Sequence, residues 1–255
     1  GFRGLLTPMP NTVQSMVRES RNMPPVEGVV HRDLVYRDAR LKELHLDLYE
    51  PLGEFSAGTP PVVVFFHGGS WIHGDKITIR IIDRFLRRMR ERGYFVAAVN
   101  YTTWLHKGLE GPLENSRAAV EWLASQAERF GYDPHNLGLY GVSAGGHLAL
   151  MTGSTMRDEA YSFAFMFGEC APTDLVAMKE GEAFEHSAVF RVFSDDRLQE
   201  LSPITHVDDD LPPVLLLHGG QDQTVHVRQS KRYAEALRKA GADVELIIEE
   251  PEADE

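Results

Sequence analysis

Cysteine is nearly absent from this chain: Cys170 is the only one in 255 residues. A single thiol excludes a disulfide framework and a thiolate cluster for zinc or iron–sulfur, and it leaves the redox compartment undecided. Long apolar runs are missing too. The longest, "PPVVVFF" and "PPVLLL", fall far short of the roughly 18 residues a membrane span needs, so the chain reads as soluble. Basic charge is in deficit, with 26 Lys and Arg against 38 Asp and Glu and a net charge of −12. Excess acid opposes a phosphate backbone, so nucleic acid is not an expected partner. The arginines of "RFLRRMRER" alternate with Ile79, Ile82, Leu86 and Met89 at helical spacing, the pattern of an amphipathic helix with a solvated face. Methionine does not stand at position 1, where Gly1 does, so a removed signal peptide stays open, and cytoplasmic and secreted locations with it.

What is present suits one α/β domain over residues 1–255, since 43% hydrophobic content in this length is ample for a core. Residues 1–30 mix Pro8, Pro10, Pro24 and Pro25 with a short periodic stretch around Val13 to Val17, which predicts an irregular arm with one small helix. The alternation in "LVYRDARLKELHLDLYEP" predicts an antiparallel hairpin at a sheet edge. From Pro60 onward, short β-branched runs alternate with amphipathic segments, the signature of βαβ units around a mostly parallel sheet. The pattern predicts strands near 62–66, 95–99, 137–141, 162–167, 213–217 and 243–248, and helices near 77–92, 112–130, 144–155 and 227–240, the last stopping at Gly241. Between 168 and 211 no strand is evident, although Met178, Phe184, Val189, Phe190 and Phe193 are apolar; so long an interval reads as a cap or lid. Packing of a surface helix onto the core accounts for the same residues.

Three strand ends carry chemically suggestive residues, and in a doubly wound sheet ligands sit beyond such ends. In "GVSAG" a serine, Ser143, stands at a strand-to-helix turn with small residues two before and two after, the arrangement that exposes a nucleophile. A helix N-terminal serine beside a glycine turn would look similar. In "FFHGGSWIHGDK" consecutive glycines let backbone amides face a developing oxyanion; the expected donors are Gly69 and Ser70, with Ala144 as the third. His67 and His73 are expected to hold this loop, His147 to pack within its helix, and Trp71 to line a substrate pocket or pack beneath the loop. In "LLLHGGQDQTVHV", Asp222 lies just past a buried strand and after Ser143, in the order serine, acid, histidine; an Asx turn capping the next helix is the competing role.

With these residues in place the sequence resembles the hormone-sensitive-lipase-like esterases of the α/β-hydrolase superfamily, in the branch of carboxylesterases related to feruloyl esterases and kynurenine formamidases. The resemblance is carried by "HGGSW" followed by "GDK", by "NY" at 100–101, by "GYDPHNLGLYGVSAGGHLAL", "PTDL" and "LSPITHV", and by "PPVLLLHGGQDQTV". It covers roughly residues 60–250. It implies Ser143 as nucleophile, Asp222 as acid, Gly69, Ser70 and Ala144 as oxyanion donors, and an acyl-enzyme intermediate; the expected substrates are small, short-acyl or aromatic esters, with neither metal nor organic cofactor. Formamide hydrolysis would use the same machinery.

One departure stands out: the family carries its catalytic histidine just after the last strand, and here no histidine follows His226. Three expectations compete. The chain stops short of its native C-terminus, a further histidine such as His226 substitutes, or the protein is a binding module that kept a hydrolase scaffold. His31, His45, His106, His135, His186, His206 and His218 lack a motif context and are expected to be structural or exposed.

Overall fold

The computed structural model describes residues 13–38, 43–182 and 190–250. Among the described residues, eight strands form one sheet in the order β1-β2-β4-β3-β5-β6-β7-β8. They are β1 (Val30–Arg37), β2 (Leu44–Tyr49), β3 (Val62–Phe66), β4 (Phe95–Val99), β5 (Leu137–Val142), β6 (Phe163–Glu169), β7 (Val214–Gly219) and β8 (Val244–Glu249). β1 and β2 make the antiparallel hairpin at one edge, and β2 joins β4 antiparallel. From β4 to β8 every pairing is parallel. The predicted α/β architecture with its edge hairpin is the one observed.

The sequence dictates this arrangement through burial on two faces. All five residues of β3, "VVVFF", and all five of β4, "FVAAV", are buried, as parallel strands covered on both sides must be. Successive side chains point to opposite faces. Val62, Val64 and Phe66 therefore pack toward α4 (Glu110–Phe130) and α5 (Ala144–Thr155), while Val63 and Phe65 meet Ile79 and Leu86 on the other face. The remaining α-helices among the described residues are α1 (Val13–Asn22), α2 (Asp83–Glu91), the single turns α3 (Trp104–Lys107) and α6 (Leu175–Ala177), then α7 (Asp195–Glu200) and α8 (Arg228–Ala240). α8 stops at Gly241, as predicted, and buries Tyr233, Ala234 and Leu237 against Leu216 and Val214.

Two expectations need correction. The helix predicted over 77–92 is broken: a 3-10 turn spans Lys76–Arg80, and α2 begins only at Asp83. The run "ITIRII" is rich in β-branched residues, which lose side-chain freedom in a helix, and the buried Arg80 side chain turns away to the carbonyls of Met23 and Pro24, pinning the N-terminal arm. Nor is every arginine of "RFLRRMRER" solvated. Arg90 is 1% exposed; its Nε donates to the Glu50 carbonyl at 2.6 Å, and its guanidinium lies 5.8 Å from the Tyr49 ring centroid.

Within 168–211, strand β6 continues to Glu169, and Leu175, Met178, Phe190, Leu198 and Leu201 join the main core. Phe184 and Val189 lie outside the described residues. No helix among the described residues is long and apolar enough to cross a membrane. A groove of about 520 Å³ runs between α2 and β6 to β8, floored by Phe165, Phe167 and Leu215. It contains none of the strand-end residues singled out above.

Candidate active site

Ser143 sits where β5 ends and α5 begins. Its backbone is at φ 53, ψ −120, a region that costs a residue with a side chain strain. Two hydrogen bonds hold it there: its amide donates to the Glu169 carbonyl at 2.7 Å, and its carbonyl accepts from the His147 amide at 3.0 Å. The bend needs a bare residue at 145, because a methyl there would overlap the carbonyl oxygens of Phe66 and His67. The Ser143 side chain is half-buried and has no hydrogen-bond partner among the described residues.

The loop after β3 closes over it. Gly69 is at φ 129, Ser70 at φ 54 and Trp71 at φ 56, and the Gly69 carbonyl accepts from both the Ile72 and His73 amides. A Cβ on Gly68 would lie 3.6 Å from the Ser143 Cβ, so the loop backbone packs directly on the serine. Among the described residues the amides of Gly69, Ser70 and Ala144 donate to no backbone carbonyl. Three idle N–H groups beside a half-buried hydroxyl are suited to negative charge on a substrate oxygen.

Beneath the loop, His67 donates from Nδ1 to the Gly68 carbonyl at 2.8 Å and stacks on Tyr101, whose hydroxyl donates to the His67 carbonyl at 2.6 Å. Burial lowers the His67 pKa to about 4, so the ring is a neutral brace. Asn100 accepts the Lys76 amide, and the Lys76 ammonium pairs with Asp33 and the buried Asp47. The "GDK" and "NY" segments thus anchor the far side of the loop. Trp71 is only 3% exposed and meets His147 and Phe190 edge-on. It packs against α5 and Phe190, in keeping with the packing alternative of the two roles expected of it. His147 is fully buried; its Nε2 donates to the Leu201 carbonyl, and burial lowers its pKa to about 4.

Asp222 follows β7. Its Oδ1 accepts from the amides of Thr224 and Val225 at 2.7 and 3.0 Å, the Asx turn foreseen as its alternative role. That turn fixes the carboxylate and leaves Oδ2 for another partner. His218 stands 3.7 Å from Oδ2, but its Nε2 donates to the Val225 carbonyl and its Nδ1 accepts from the Ser230 hydroxyl. Burial lowers the pKa of His218, so it is a neutral strut under the loop. Cys170, one residue past β6, completes this corner: its sulfur and donor atoms of His218 and Asp222 lie within 4.8 Å of one another. A cation held by His218 Nε2 would displace its hydrogen bond to the Val225 carbonyl. Behind Ser143, Tyr140 donates its hydroxyl to Glu169 at 2.7 Å, and burial raises the pKa of that carboxyl.

Sequence reasoning missed His218 and Cys170 as parts of this corner. The only available signal was position, one at the end of β7 and one just past β6. His226, considered as a substitute base, accepts at Nδ1 from the amide and Nε of Arg228 at the start of α8. His31 pairs with Glu50, His45 with Glu43, and His206 with the Glu200 carbonyl. His186 lies outside the described residues.

A parallel sheet with a strained serine after β5, an amide-bearing loop after β3 and a fixed carboxylate after β7 is the architecture of an α/β-hydrolase. The chain belongs to the BD-FAE family, whose model matches residues 46–237. It is similar to esterase LipC of Mycobacterium tuberculosis, 26% identical over 99% of this chain and 67% of that protein. It is also similar to isoprenylcysteine alpha-carbonyl methylesterase ICME of Arabidopsis thaliana, 27% identical over 86% of this chain and 55% of that protein. The chain therefore spans about half to two thirds of the length of these relatives. Among solved structures, native Thermogutta terrifontis esterase 2 superposes with a TM-score of 0.70 at 25% identity, over 91% of this chain and 86% of that one.

Proposed function

We propose that this protein is a serine hydrolase that cleaves small carboxylic esters through an acyl-enzyme. The observation that carries this reading is the contact between a strained, half-buried Ser143 and a glycine loop whose amides, with that of Ala144, have no acceptor. Ser143 Oγ attacks the ester carbonyl and loses its proton to a base. The carbonyl oxygen takes the negative charge among the amides of Gly69, Ser70 and Ala144. Collapse expels the alcohol, which takes the proton, and water then hydrolyses the acyl-serine along the reverse course.

Asp222 is the group that would orient the base. In the family that the sequence resembles, that base is a histidine just after the last strand. The Gly220 amide donates to the Glu249 carbonyl at 2.8 Å, and a Cβ on Gly220 would meet the Glu250 carboxylate, so the exit of β8 runs beside the Asp222 loop. The engagement of His226 with Arg228 speaks against its serving instead. Thermogutta terrifontis esterase 2 in its propionate-bound form, 25% identical with a TM-score of 0.67, supports a short acyl group. The second reading, a binding protein on a hydrolase scaffold, draws on the lack of a hydrogen-bonded base at Ser143 among the described residues.

Labelling of the full-length protein by a fluorophosphonate separates the two. Labelling should vanish in Ser143→Ala and slow by on the order of 10⁴-fold in Asp222→Asn, as loss of the orienting acid does in a serine triad. Equal labelling of all three proteins would sink the catalytic assignment. Turnover of N-formylkynurenine without turnover of p-nitrophenyl acetate would move the substrate from ester to amide.

A further inference from the structure

Cys170 has no part in the chemistry above, yet it occupies the corner where Asp222 is held. It follows β6 at φ 47, a left-handed conformation unusual for a residue with a side chain, and its amide donates to the Leu217 carbonyl of β7 at 2.8 Å. This backbone turn carries the sulfur across the strand ends toward the Asp222 loop, into the cluster with His218 and Asp222 already described. Its sulfur lies within 4.8 Å of a carboxylate oxygen of Asp222, whose negative charge acts on the thiol.

We propose that Cys170 is a positioning residue for Asp222, its S–H holding the carboxylate in the orientation that serves the base. The proposal rests on the reading of Asp222 as the triad acid. Its physical basis is a division of labour. The Thr224 and Val225 amides fix Oδ1 from the helix side, but two amides on one oxygen leave the carboxylate plane free to rock. A donor from the strand side stops that motion. Burial, with the negative charges of Glu169 and Asp222, pushes the thiol up, so it stays protonated and available as a donor. His218 cannot do this work, because its one N–H is spent on the Val225 carbonyl.

The test compares fluorophosphonate inactivation of the full-length protein with that of Cys170→Ala, Cys170→Gly and Cys170→Ser. Glycine accepts φ 47 without strain, so Cys170→Gly keeps the backbone while removing the thiol. The maximal inactivation rate should fall about tenfold in the Ala and Gly variants, the size of one hydrogen bond to a charged group, with the inhibitor half-saturation concentration unchanged. Cys170→Ser should recover most of the rate, and Cys170→Ala should add nothing in an Asp222→Asn background. Wild-type rates in Cys170→Gly, or a loss that persists in the Asp222→Asn background, would overturn the proposal while leaving the triad reading standing. Wild-type labelling by Asp222→Asn would instead remove the acid assignment and this proposal together.

Discussion

Replacing Ser143 by glycine should destroy the labelling and make the protein more stable. At φ 53, ψ −120 the serine occupies a sparsely populated region whose cost is of order 1–3 kcal/mol. Its side chain makes no hydrogen bond to the helix it precedes, so glycine forfeits no partner. Against this stands the extra freedom of glycine in the unfolded chain, about 0.5–1 kcal/mol. The net gain is about 1 kcal/mol, which in a domain of this size raises the melting midpoint by about 2–4 °C. Ser143→Ala is the control: it removes the hydroxyl but keeps the strained backbone, and should melt with the wild type. Calorimetry at a fixed scan rate measures all three. If Ser143→Gly melts at or below Ser143→Ala, the turn stores no strain and the geometric argument for an exposed nucleophile loses its energetic support.

Gly145→Ala should act in the opposite sense, because its methyl meets the carbonyl oxygens of Phe66 and His67 and backbone has little room to yield; a loss of about 1–3 kcal/mol together with loss of labelling is expected. An unchanged midpoint with full labelling would mean the elbow is looser than described. His67 and His147 make stability depend on pH. Each has a folded pKa of about 4, below the ordinary value of 6.5, so the unfolded chain binds more protons between those limits and stability falls as pH drops from about 6.5 to 4. The loss approaches roughly 3 kcal/mol per ring at the acid end, as linkage for a shift of that size requires. Urea titrations across this range should show the slope, and His147→Gln should remove about half of it; a flat profile in the wild type would refute the burial argument.

β3 and β4 were legible because runs such as "VVVFF" and "FVAAV", buried on both faces, have no other home than the middle of a parallel sheet. The elbow was legible for a local reason, the close approach that bars a side chain at 145. The break before α2 was not, since hydrophobic spacing continues through it and only the long-range anchoring of Arg80 on the N-terminal arm interrupts the helix. Arg90 escaped for a similar reason: on the arginine-rich face it finds a carbonyl and an aromatic ring from β2 and the loop after it. Trp71 and Cys170 depend on backbone conformations at φ 56 and φ 47 that no propensity favours, so where their side chains would point was invisible in the sequence.

Those two residues belong to a pattern that bears on function. Among the described residues, five other than glycine have positive φ: Asp33, Ser70, Trp71, Ser143 and Cys170. All but Asp33 follow the carboxyl ends of β3, β5 and β6, which are neighbours in the sheet. At roughly 1–2 kcal/mol for each left-handed residue, the strain at this one edge is comparable to the net stability of a typical domain. It persists only because the surroundings impose it. The Glu169 carbonyl holds the Ser143 amide, the Leu217 carbonyl holds the Cys170 amide, and the Trp71 carbonyl accepts from the Trp104 amide while its ring is locked against His147 and Phe190. A fold that needed these turns only as connections could relieve them with glycine, as it does at Gly131 and Gly241. Keeping side chains at 143 and 170 in this conformation is economical only if the groups they carry, a hydroxyl and a thiol, are needed where the turns aim them.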